Sequence, residues 1–473
     1  MGKETREEWG GPSVVARKVG RRLELARLSM KQPTTVYRPA VIRLVGIVAI
    51  LFIPLFGNRK LTAQEVATLN RETKNKLKQV VSSLSEAMKA EDETEIRRQV
   101  ERSIKLLGDQ AGLPEAPDEY RPVPQNARPM TVDEIPAAFD PYIPYIERMK
   151  WWRIGLDPTK TDHALREVAA VIEGCLKARQ ATGRHSETLL TMAKEGGDFL
   201  IWAQDLAETG VLPFPAMRNG EGRPFQVAER FYRRAEREGT LNQVIRNGWA
   251  VEDFDDGGLQ FDNGEAGVAL LHLYEATNDE RYKDAAIKAA DWAVSRIVVP
   301  NWNYNSFSVH LLAEAYRVTG NEKYLDSAKK KALQGVLPGQ LTEGPRRGRW
   351  ADPHNARPPY HYIMIRGLAA LAAVMPQNDP ELSRIVESLR LALCARNPDF
   401  QIGVFNLDSA VEALVLVDRL PQYITENLTE CDTDEALSIL ERFAAEAFRR
   451  RTGALGPNAW GYLLAHLKAK AEP

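Results

Sequence analysis

Apolar residues recur at helical spacing from Gln64 onward. One apolar stripe runs to Met88, and a second follows an acidic break at 91–93, so the pattern predicts a helical hairpin stalk over 64–112. Residues 113–136 then contain six prolines. Because proline fixes φ and removes a backbone donor, this segment is predicted to be an extended linker.

Beyond residue 137 almost every periodic segment has the spacing of a helix, and no run of alternating residues predicts a strand. The predicted helices lie near 160–182, 185–208, 225–246, 264–277, 280–297, 306–318, 322–336, 362–375, 380–396, 407–418, 434–451 and 457–470. We therefore predict an all-α domain over 137–473.

An internal repeat relates parts of this domain. Residues 274–286 (YEATNDERYKDAA) align with 316–328 (YRVTGNEKYLDSA) at an offset of 42. A looser third copy at 368–382 follows at a further offset of 58, which implies a longer loop before it. A unit of this length is a pair of helices that cannot bury its apolar face alone. Copies must therefore stack, either as an open superhelix or as a closed ring.

The repeat also carries a family resemblance. The motif apolar-x-x-x-Tyr-x-x-Thr-(Gly/Asn)-(Asn/Asp)-Glu-x-Tyr-x-x-x-Ala occurs twice, and Gly-Gly-Leu-Gln-Phe-Asp precedes the first copy. This pattern resembles the (α/α) toroid superfamily of six-hairpin glycosidases and helical-barrel polysaccharide lyases, including family-10 pectate lyases, best over 250–390. The resemblance implies a toroid of stacked helical hairpins. No catalytic signature of these families is present, so it transfers no catalytic residue.

The N-terminal region has a different character. Residues 1–43 carry ten Lys and Arg against four acidic residues, and 44–58 contain no charge. A single apolar segment that follows positive charge inserts with its N-terminal side in the cytoplasm. We predict a basic cytoplasmic leader (1–43), a transmembrane signal-anchor (44–60) and a periplasmic or extracellular main domain. Secretion after cleavage near Ala63 is the alternative.

Overall charge and cysteine content exclude several classes of protein. The chain has 63 Lys and Arg against 64 Asp and Glu. It therefore lacks the net positive charge that would predict a nucleic-acid partner. Three cysteines are too few for a disulfide scaffold, and neither metal-ligand spacing nor a phosphate-binding loop occurs. We predict no cofactor. The pairing of the cysteines and the oligomeric state are left open.

Three polar segments are candidate parts of a carbohydrate site. Each precedes an equivalent helix of the repeat, so we expect them on one rim of the stacked hairpins. Residues 252–265 hold six carboxylates, which can supply a general acid and base or bind Ca²⁺, although the EF-hand spacing is absent. Residues 300–307 combine aromatic rings and amides, which stack on sugar rings and bind hydroxyl groups.

The third segment, 345–362, is rich in Arg, His and Tyr. Arginine pairs with a uronate carboxylate, while His or Tyr beside it can remove the C5 proton and protonate the leaving oxygen. We therefore favour an enzyme that cleaves an acidic polysaccharide by β-elimination. A glycoside hydrolase on the same fold and a non-catalytic scaffold or glycan- or protein-binding module of the cell envelope are the alternatives.

The candidate residues divide by role. The predicted catalytic residues are His354, His361, Tyr360, Arg349, Asp262 and Asp256. The predicted substrate-binding residues are Trp302, Tyr304, Asn305, Asn263, Arg357, Trp350 and Asp352. For elimination, the arginines neutralise the uronate, His354 or His361 is the base and Tyr360 is the acid. For hydrolysis, Asp256 and either Asp262 or Asp352 transfer the protons.

Overall fold

The computed structural model describes residues 123–471, except for 125, 132, 149–151, 159–163, 217–222, 254–256, 353 and 452–454, and except for the side chains of 223–228, 230 and 231. The described residues belong to one compact unit, Gly108–Pro473. The predicted leader, membrane anchor and stalk lie outside them. Within the described part of the chain, no helix is both long and apolar enough to span a bilayer.

Within the described residues after 137, helices form at every segment with a predicted helical period. The helices are α1 (Tyr142–Arg148), α2 (Leu165–Thr182), α3 (Ser186–Ala207), α4 (Arg223–Glu238), α5 (Leu241–Val244), α6 (Leu259–Thr277), α7 (Glu280–Ser295), α8 (Trp302–Thr319), α9 (Glu322–Gly335), α10 (Pro358–Val374), α11 (Leu382–Arg396), α12 (Leu407–Asp418), α13 (Gln422–Thr425), α14 (Thr433–Arg450) and α15 (Pro457–Ala471). Three short antiparallel strands, in the order β1 (Phe214–Pro215), β3 (Trp249–Ala250) and β2 (Ile245–Arg246), form a small sheet. Single 3₁₀ turns lie at Ile135–Ala137, Leu337–Gly339, Asn397–Phe400 and Thr429–Cys431.

Six of these helices form a closed inner ring. Helices α2, α6, α8, α10, α12 and α15 each pack against the next, and α15 packs against α2. Helices α3, α7, α9, α11 and α14 lie outside, each against the inner helix before it in the chain. The prediction of an all-α toroid is confirmed, and the structure selects the closed ring over the open superhelix.

The segment before α2 packs on the outside of α15. The Trp460 indole donates to the Ala138 carbonyl at 2.8 Å, and the Tyr142 hydroxyl donates to the Leu455 carbonyl at 2.7 Å. The first and last described parts of the chain therefore complete the sixth hairpin together.

The residue pattern explains which helices are inner. In α8, 13 of 18 residues are buried, whereas in α9 the number is 6 of 14. A helix enclosed on all sides needs apolar residues all round, while an outer helix keeps one polar face. Helices that are largely apolar, such as α12 (LDSAVEALVLVD), therefore take the inner positions.

The repeat of 42 residues is confirmed by equivalent contacts. The Tyr282 hydroxyl donates to Asp198 at 3.1 Å, and the Tyr324 hydroxyl, 42 positions later, donates to Asp291 at 2.8 Å. In both copies the tyrosine of one outer helix is thus bonded to the preceding outer helix. Successive hairpins therefore stack in the same register, as the sequence predicts.

The turns between paired helices are equivalent too. Asn278 and Gly320 end their inner helices with φ of 55° and 66°, and the side chains of Asp279 and Asn321 then cap the outer helices. In the third copy, Asp379 accepts from the Glu381 backbone N–H at 2.9 Å. A left-handed residue followed by an Asp or Asn cap reverses the chain in little space.

Three inner helices begin four or five residues before their predicted starts, at Leu259, Trp302 and Pro358. Their first turns contain polar and aromatic residues, so a search for apolar periodicity assigns them to loops. In the structure many of these polar side chains bond to neighbouring helices and loops instead of water. Much of the predicted rim is therefore helix rather than loop.

A disulfide joins Cys394 in α11 to Cys431 in the last 3₁₀ turn, 37 residues apart, while Cys175 is buried and free. We expect Cys431→Ser to lower the free energy of unfolding by about 2–4 kcal/mol, because the bridge restricts the unfolded chain. Urea unfolding measures this loss, with Cys175→Ala as the control that keeps the bridge. Thiol titration in denaturant should count one thiol before reduction and three after it; three before reduction would show that the bridge is absent.

Candidate active site at the centre of the ring

Charged side chains meet inside the ring, in a group we call the arginine cluster (Glu265, Arg366, Glu412 and Asn458). The guanidinium of Arg366 in α10 donates to Glu412 of α12 at 2.5 Å and also to Glu265 of α6. Asn458 of α15 donates to Glu412 at 3.5 Å. Because α6 and α12 lie opposite each other in the ring, one arginine connects carboxylates from facing walls.

The arginine cluster lies below the N-terminal end of the ring. Glu265, Arg366 and Glu412 are the seventh, ninth and sixth residues of their helices, which places them about 8–12 Å below that end. Their side chains are 19%, 4% and 7% exposed, respectively. Glu265 is therefore the member that solvent reaches most readily.

Burial changes the protonation of this cluster. Removal from water raises the pKa of Glu412 to about 7, and the Arg366 charge opposes that rise only in part. A carboxyl group with this pKa exchanges a proton near neutral pH, as a general acid must. The other carboxylate in the cluster, Glu265, remains paired with the same guanidinium.

A second group, the histidine cluster (Glu173, His272, Glu314 and Tyr462), also lies within the ring. His272 Nδ1 is 2.6 Å from Glu173 and Nε2 is 3.5 Å from Glu314, while the Tyr462 hydroxyl donates to Glu173 at 3.0 Å. Burial alone would lower the pKa of His272, but Glu173 raises it to about 9. Nearby His310 stays neutral, because burial and the Arg366 charge lower its pKa to about 3.

This histidine makes stability depend on pH. The pKa of His272 is raised above its ordinary value of 6.5, so its contribution is complete below pH 6.5 and disappears as pH rises through about 9. We expect His272→Gln to lose roughly 3 kcal/mol of unfolding free energy at pH 6 and to flatten the decline between pH 6.5 and 9. Urea unfolding across this range measures both effects, with the exposed His185→Gln as control. A variant that keeps the wild-type pH slope would contradict the assignment.

The three predicted segments do meet at the N-terminal ends of α6, α8 and α10. The Asn355 side chain accepts from the Asn303 backbone and side-chain N–H groups at 3.2 and 2.8 Å. A Cβ at Gly257, where φ is 87°, would lie 2.6 Å from Val299 and 3.1 Å from Tyr304. Only glycine therefore allows this approach, which brings the acidic segment to the half-buried Tyr304.

Several predicted site residues are buried, with side chains that pack against or bond to neighbouring parts of the protein. They are His361, Trp350, Asn305, Asn263 and Trp302. His361 Nε2 is 2.9 Å from the Ala392 carbonyl, and its ring packs edge-on against Trp350. The Trp302 indole packs against Gly339 so closely that no Cβ would fit there. We therefore replace the predicted catalytic and binding roles of these side chains with packing roles.

The two buried asparagines occupy equivalent positions in the repeat. Asn263 accepts from the Leu212 N–H at 2.9 Å and donates to the Ala289 carbonyl at 3.0 Å. Asn305 accepts from the Val299 N–H at 3.0 Å and donates to that residue's carbonyl at 2.7 Å. Each amide satisfies backbone groups of a connecting segment, which explains why a polar residue recurs at a buried position.

Three other predicted residues have specific partners. Arg349 pairs at 3.0 Å with Asp399, a carboxylate that it shares with Arg396. Asp352 accepts from the backbone N–H groups of His354 and Asn355 at 3.1 and 2.9 Å, which fixes the turn. Buried Asp262 binds Arg166 and is described below. Asp256 lies outside the described residues.

The remaining three predicted residues form a contact group on the rim. The rings of His354 and Tyr360 stack with centroids 4.1 Å apart, and the Arg357 guanidinium lies 4.7 Å above Tyr360. Arg357 also donates to His354 Nδ1 at 3.1 Å. Partial burial and the Arg357 charge lower the pKa of His354. Because Arg357 donates to Nδ1, the neutral ring carries its proton on Nε2.

Sequence reasoning missed the arginine cluster. Arg366 and Glu412 are lone charges in helices that are otherwise apolar at their centres (PPYHYIMIRGLAALAAV and LDSAVEALVLVD). A charge that interrupts such a helix must find a partner inside the protein, because its surroundings exclude water. This signal was present in the sequence. Within the described ranges, no group of three or more His, Cys, Asp or Glu residues is placed to hold a metal ion.

Comparisons with known proteins give likenesses of fold. No family model and no curated protein matches the sequence. A solved polysaccharide lyase is similar over 72% of this chain and 96% of its own, with 11% identity and a TM-score of 0.44. A family 88 glycosyl hydrolase from Bacteroides vulgatus is similar over 72% of this chain and 98% of its own, with 11% identity and a TM-score of 0.44. An α-1,6-mannanase from Salegentibacter is similar over 66% of this chain and 100% of its own, with 14% identity and a TM-score of 0.29.

Proposed function

We propose that the protein is a carbohydrate-active enzyme that hydrolyses an acidic polysaccharide at the N-terminal end of the ring. The observation that carries this proposal is the pair of carboxyl groups on facing helices, joined by Arg366. Glycoside hydrolysis needs one carboxyl group that holds a proton and one that is ionised. Glu412, with a pKa raised by burial to about 7, fits the first role, and the more exposed Glu265 fits the second.

The geometry suggests a role for each member of the arginine cluster. Glu412 donates a proton to the glycosidic oxygen, and Glu265 activates water or stabilises the sugar cation. One guanidinium touches both carboxylates, so the two groups lie close together, as the paired carboxyl groups of glycosidases do. The half-buried ring of Phe261, which stacks on the buried ring of Phe307 at 4.0 Å, offers an apolar surface for a sugar face.

Two arginines on the rim support an acidic substrate. Arg166 has a side chain that is 34% exposed, and Arg357 lies above Tyr360. β-Elimination is the second candidate because a cation, a phenol and an imidazole touch each other in the group of His354, Arg357 and Tyr360. The arginine cluster favours hydrolysis, because these carboxyl groups lie within the ring whereas that group lies on its rim.

We also propose that the domain works outside the cytoplasm, tethered by residues 44–60. The disulfide between Cys394 and Cys431 supports this location, because such bridges persist mainly in oxidising compartments. The apolar segment after a basic leader supports the tether. A fusion of alkaline phosphatase after residue 64 should be active in cells if this region is exported, and an inactive fusion would contradict the proposal.

A substrate panel tests the reaction. The full-length protein in detergent is incubated with uronic-acid polymers and neutral polysaccharides, and both new reducing ends and the absorbance of unsaturated products are followed. Reducing ends without absorbance support hydrolysis, whereas both signals together support elimination. If neither signal appears with any polymer, the enzyme proposal fails and the scaffold alternative gains support.

A further inference from the structure

Arg166, the second residue of α2, lies beside the start of α6. Its backbone N–H donates to Asp262 Oδ1 at 3.2 Å, and its Nη1 donates to Oδ2 at 3.4 Å. Asp262 is 1% exposed, whereas the Arg166 side chain is 34% exposed. A buried carboxylate therefore holds an arginine that solvent can reach.

The same guanidinium is stacked on an aromatic ring. Its Cζ lies 4.1 Å from the centroid of Phe261 and 5.9 Å from that of Phe214. A planar guanidinium that lies over a ring keeps its edge open to hydrogen-bond acceptors. Among the described residues, Asp262 accepts from the Arg166 side chain through Nη1, so Nε and Nη2 can bind an added carboxylate.

Aromatic contacts connect this arginine to the arginine cluster. Phe261 stacks on Phe307 at 4.0 Å, and the Arg366 guanidinium lies 5.6 Å from the Phe307 centroid. Phe261 is also one helical turn before Glu265 in α6, so both lie on the same helix face. Arg166 is therefore at the mouth of the site that holds the proposed acid and base.

We infer that Arg166 determines specificity by binding the carboxylate of an acidic sugar close to the cleaved bond, with Asp262 as its positioning residue. This inference rests on the proposed function and deepens it. Arg349 is a weaker candidate because its side chain is less exposed, 22% against 34% for Arg166. A guanidinium binds a carboxylate through two parallel hydrogen bonds, which a neutral sugar cannot form. The predicted catalytic role of Asp262 is thus replaced by a role that acts through Arg166.

Matched acidic and neutral polymers test this inference. Polygalacturonate, alginate and hyaluronate are each compared with their carboxyl-reduced forms, and binding to full-length protein is measured by calorimetry. Arg166→Gln should weaken binding of the preferred acidic polymer about 10- to 100-fold and leave binding of its reduced form unchanged. Arg166→Lys keeps the charge but not the two parallel donors. Its affinity for the acidic polymer should therefore fall between those of the wild type and Arg166→Gln. Arg184→Gln, at an exposed pair with Asp140, should resemble wild type.

Kinetics distinguish specificity from loss of fold. Arg166→Gln should raise KM for the acidic polymer more than it lowers kcat, and Asp262→Asn should change KM in the same direction by a smaller factor. Equal weakening towards acidic and reduced polymers, or no weakening, would overturn the inference. If Arg166→Gln keeps the acidic preference while Glu412→Gln is inactive, the inference fails and the proposed hydrolysis stands. If binding behaves as expected but Glu412→Gln stays active, the acid assignment fails and the inference stands.

Discussion

Glu412→Gln should lower kcat by about 10²- to 10⁴-fold, the usual contribution of a general acid. Glutamine keeps the size and can still accept from Arg366, but it cannot deliver a proton to a leaving oxygen. Reducing-end assays on the preferred polymer measure the loss, and circular dichroism checks that the helices are retained. The control is Glu426→Gln at an exposed position, which should keep wild-type activity. A Glu412→Gln enzyme that keeps a third or more of its activity would remove this residue from the mechanism.

The same residue should set the alkaline limit of activity. Burial raises the pKa of Glu412 to about 7 from an ordinary 4.5, so the protonated acid is lost as pH rises through about 7, and the rate should fall with it. The raised pKa also means that the protonated group stabilises the fold below pH 4.5 and that this contribution disappears as pH rises towards 7. In Glu412→Gln the stability change across this window should be absent. A wild-type rate that keeps rising above pH 8 would contradict the assignment.

Arg366→Met should lower the free energy of unfolding by about 3–5 kcal/mol, because it leaves two carboxylates inside the ring without their shared cation. Burying a charge without a partner costs more than the loss of one hydrogen bond. The change also affects three inner helices at once, since α6, α10 and α12 all contribute to the cluster. Urea unfolding at constant pH measures the effect.

The matched control for Arg366→Met is Arg384→Met. Arg384 pairs with Glu381 at 2.8 Å, but its side chain is 58% exposed, so its loss should cost less than about 1 kcal/mol. Arg366→Lys should restore only part of the stability, because an ammonium group cannot bridge both carboxylates with a planar fork. Equal effects of the two methionine variants would show that the bridge across the ring does not form in solution.

The sequence predicts the hairpins better than it predicts their ends. Apolar periodicity and the repeat of 42 residues gave the helices and their register, since the Tyr282 and Tyr324 contacts are equivalent. The first turns of α6 and α8 were missed because Asn263 and Asn305 are polar yet buried. Their amides bond to backbone groups of other segments, such as Leu212 for Asn263 and Gly335 for Asn305, and no local pattern shows such a partner.

The meeting of the rim segments was predicted better than the position of their individual side chains. The rim segments were expected to meet, and they do, but His361 and Trp350 lie inside the protein. A dense polar segment does not reveal which side chains fold inward, because that depends on loop geometry. Conversely, Arg366 and Glu412 attract little attention as single charges, although burial in a tight ring gives them their chemistry.

Closure of the ring by its last inner helix has a consequence for synthesis. Helix α15 (Pro457–Ala471) closes the ring by packing against α2 (Leu165–Thr182). During synthesis α2 is therefore made almost three hundred residues before α15, the second of its two inner neighbours. Until α15 is made, the face of α2 that α15 covers has no native partner, and a holding chaperone would protect it. A premature stop before residue 457 should consequently yield an insoluble product rather than a smaller working enzyme.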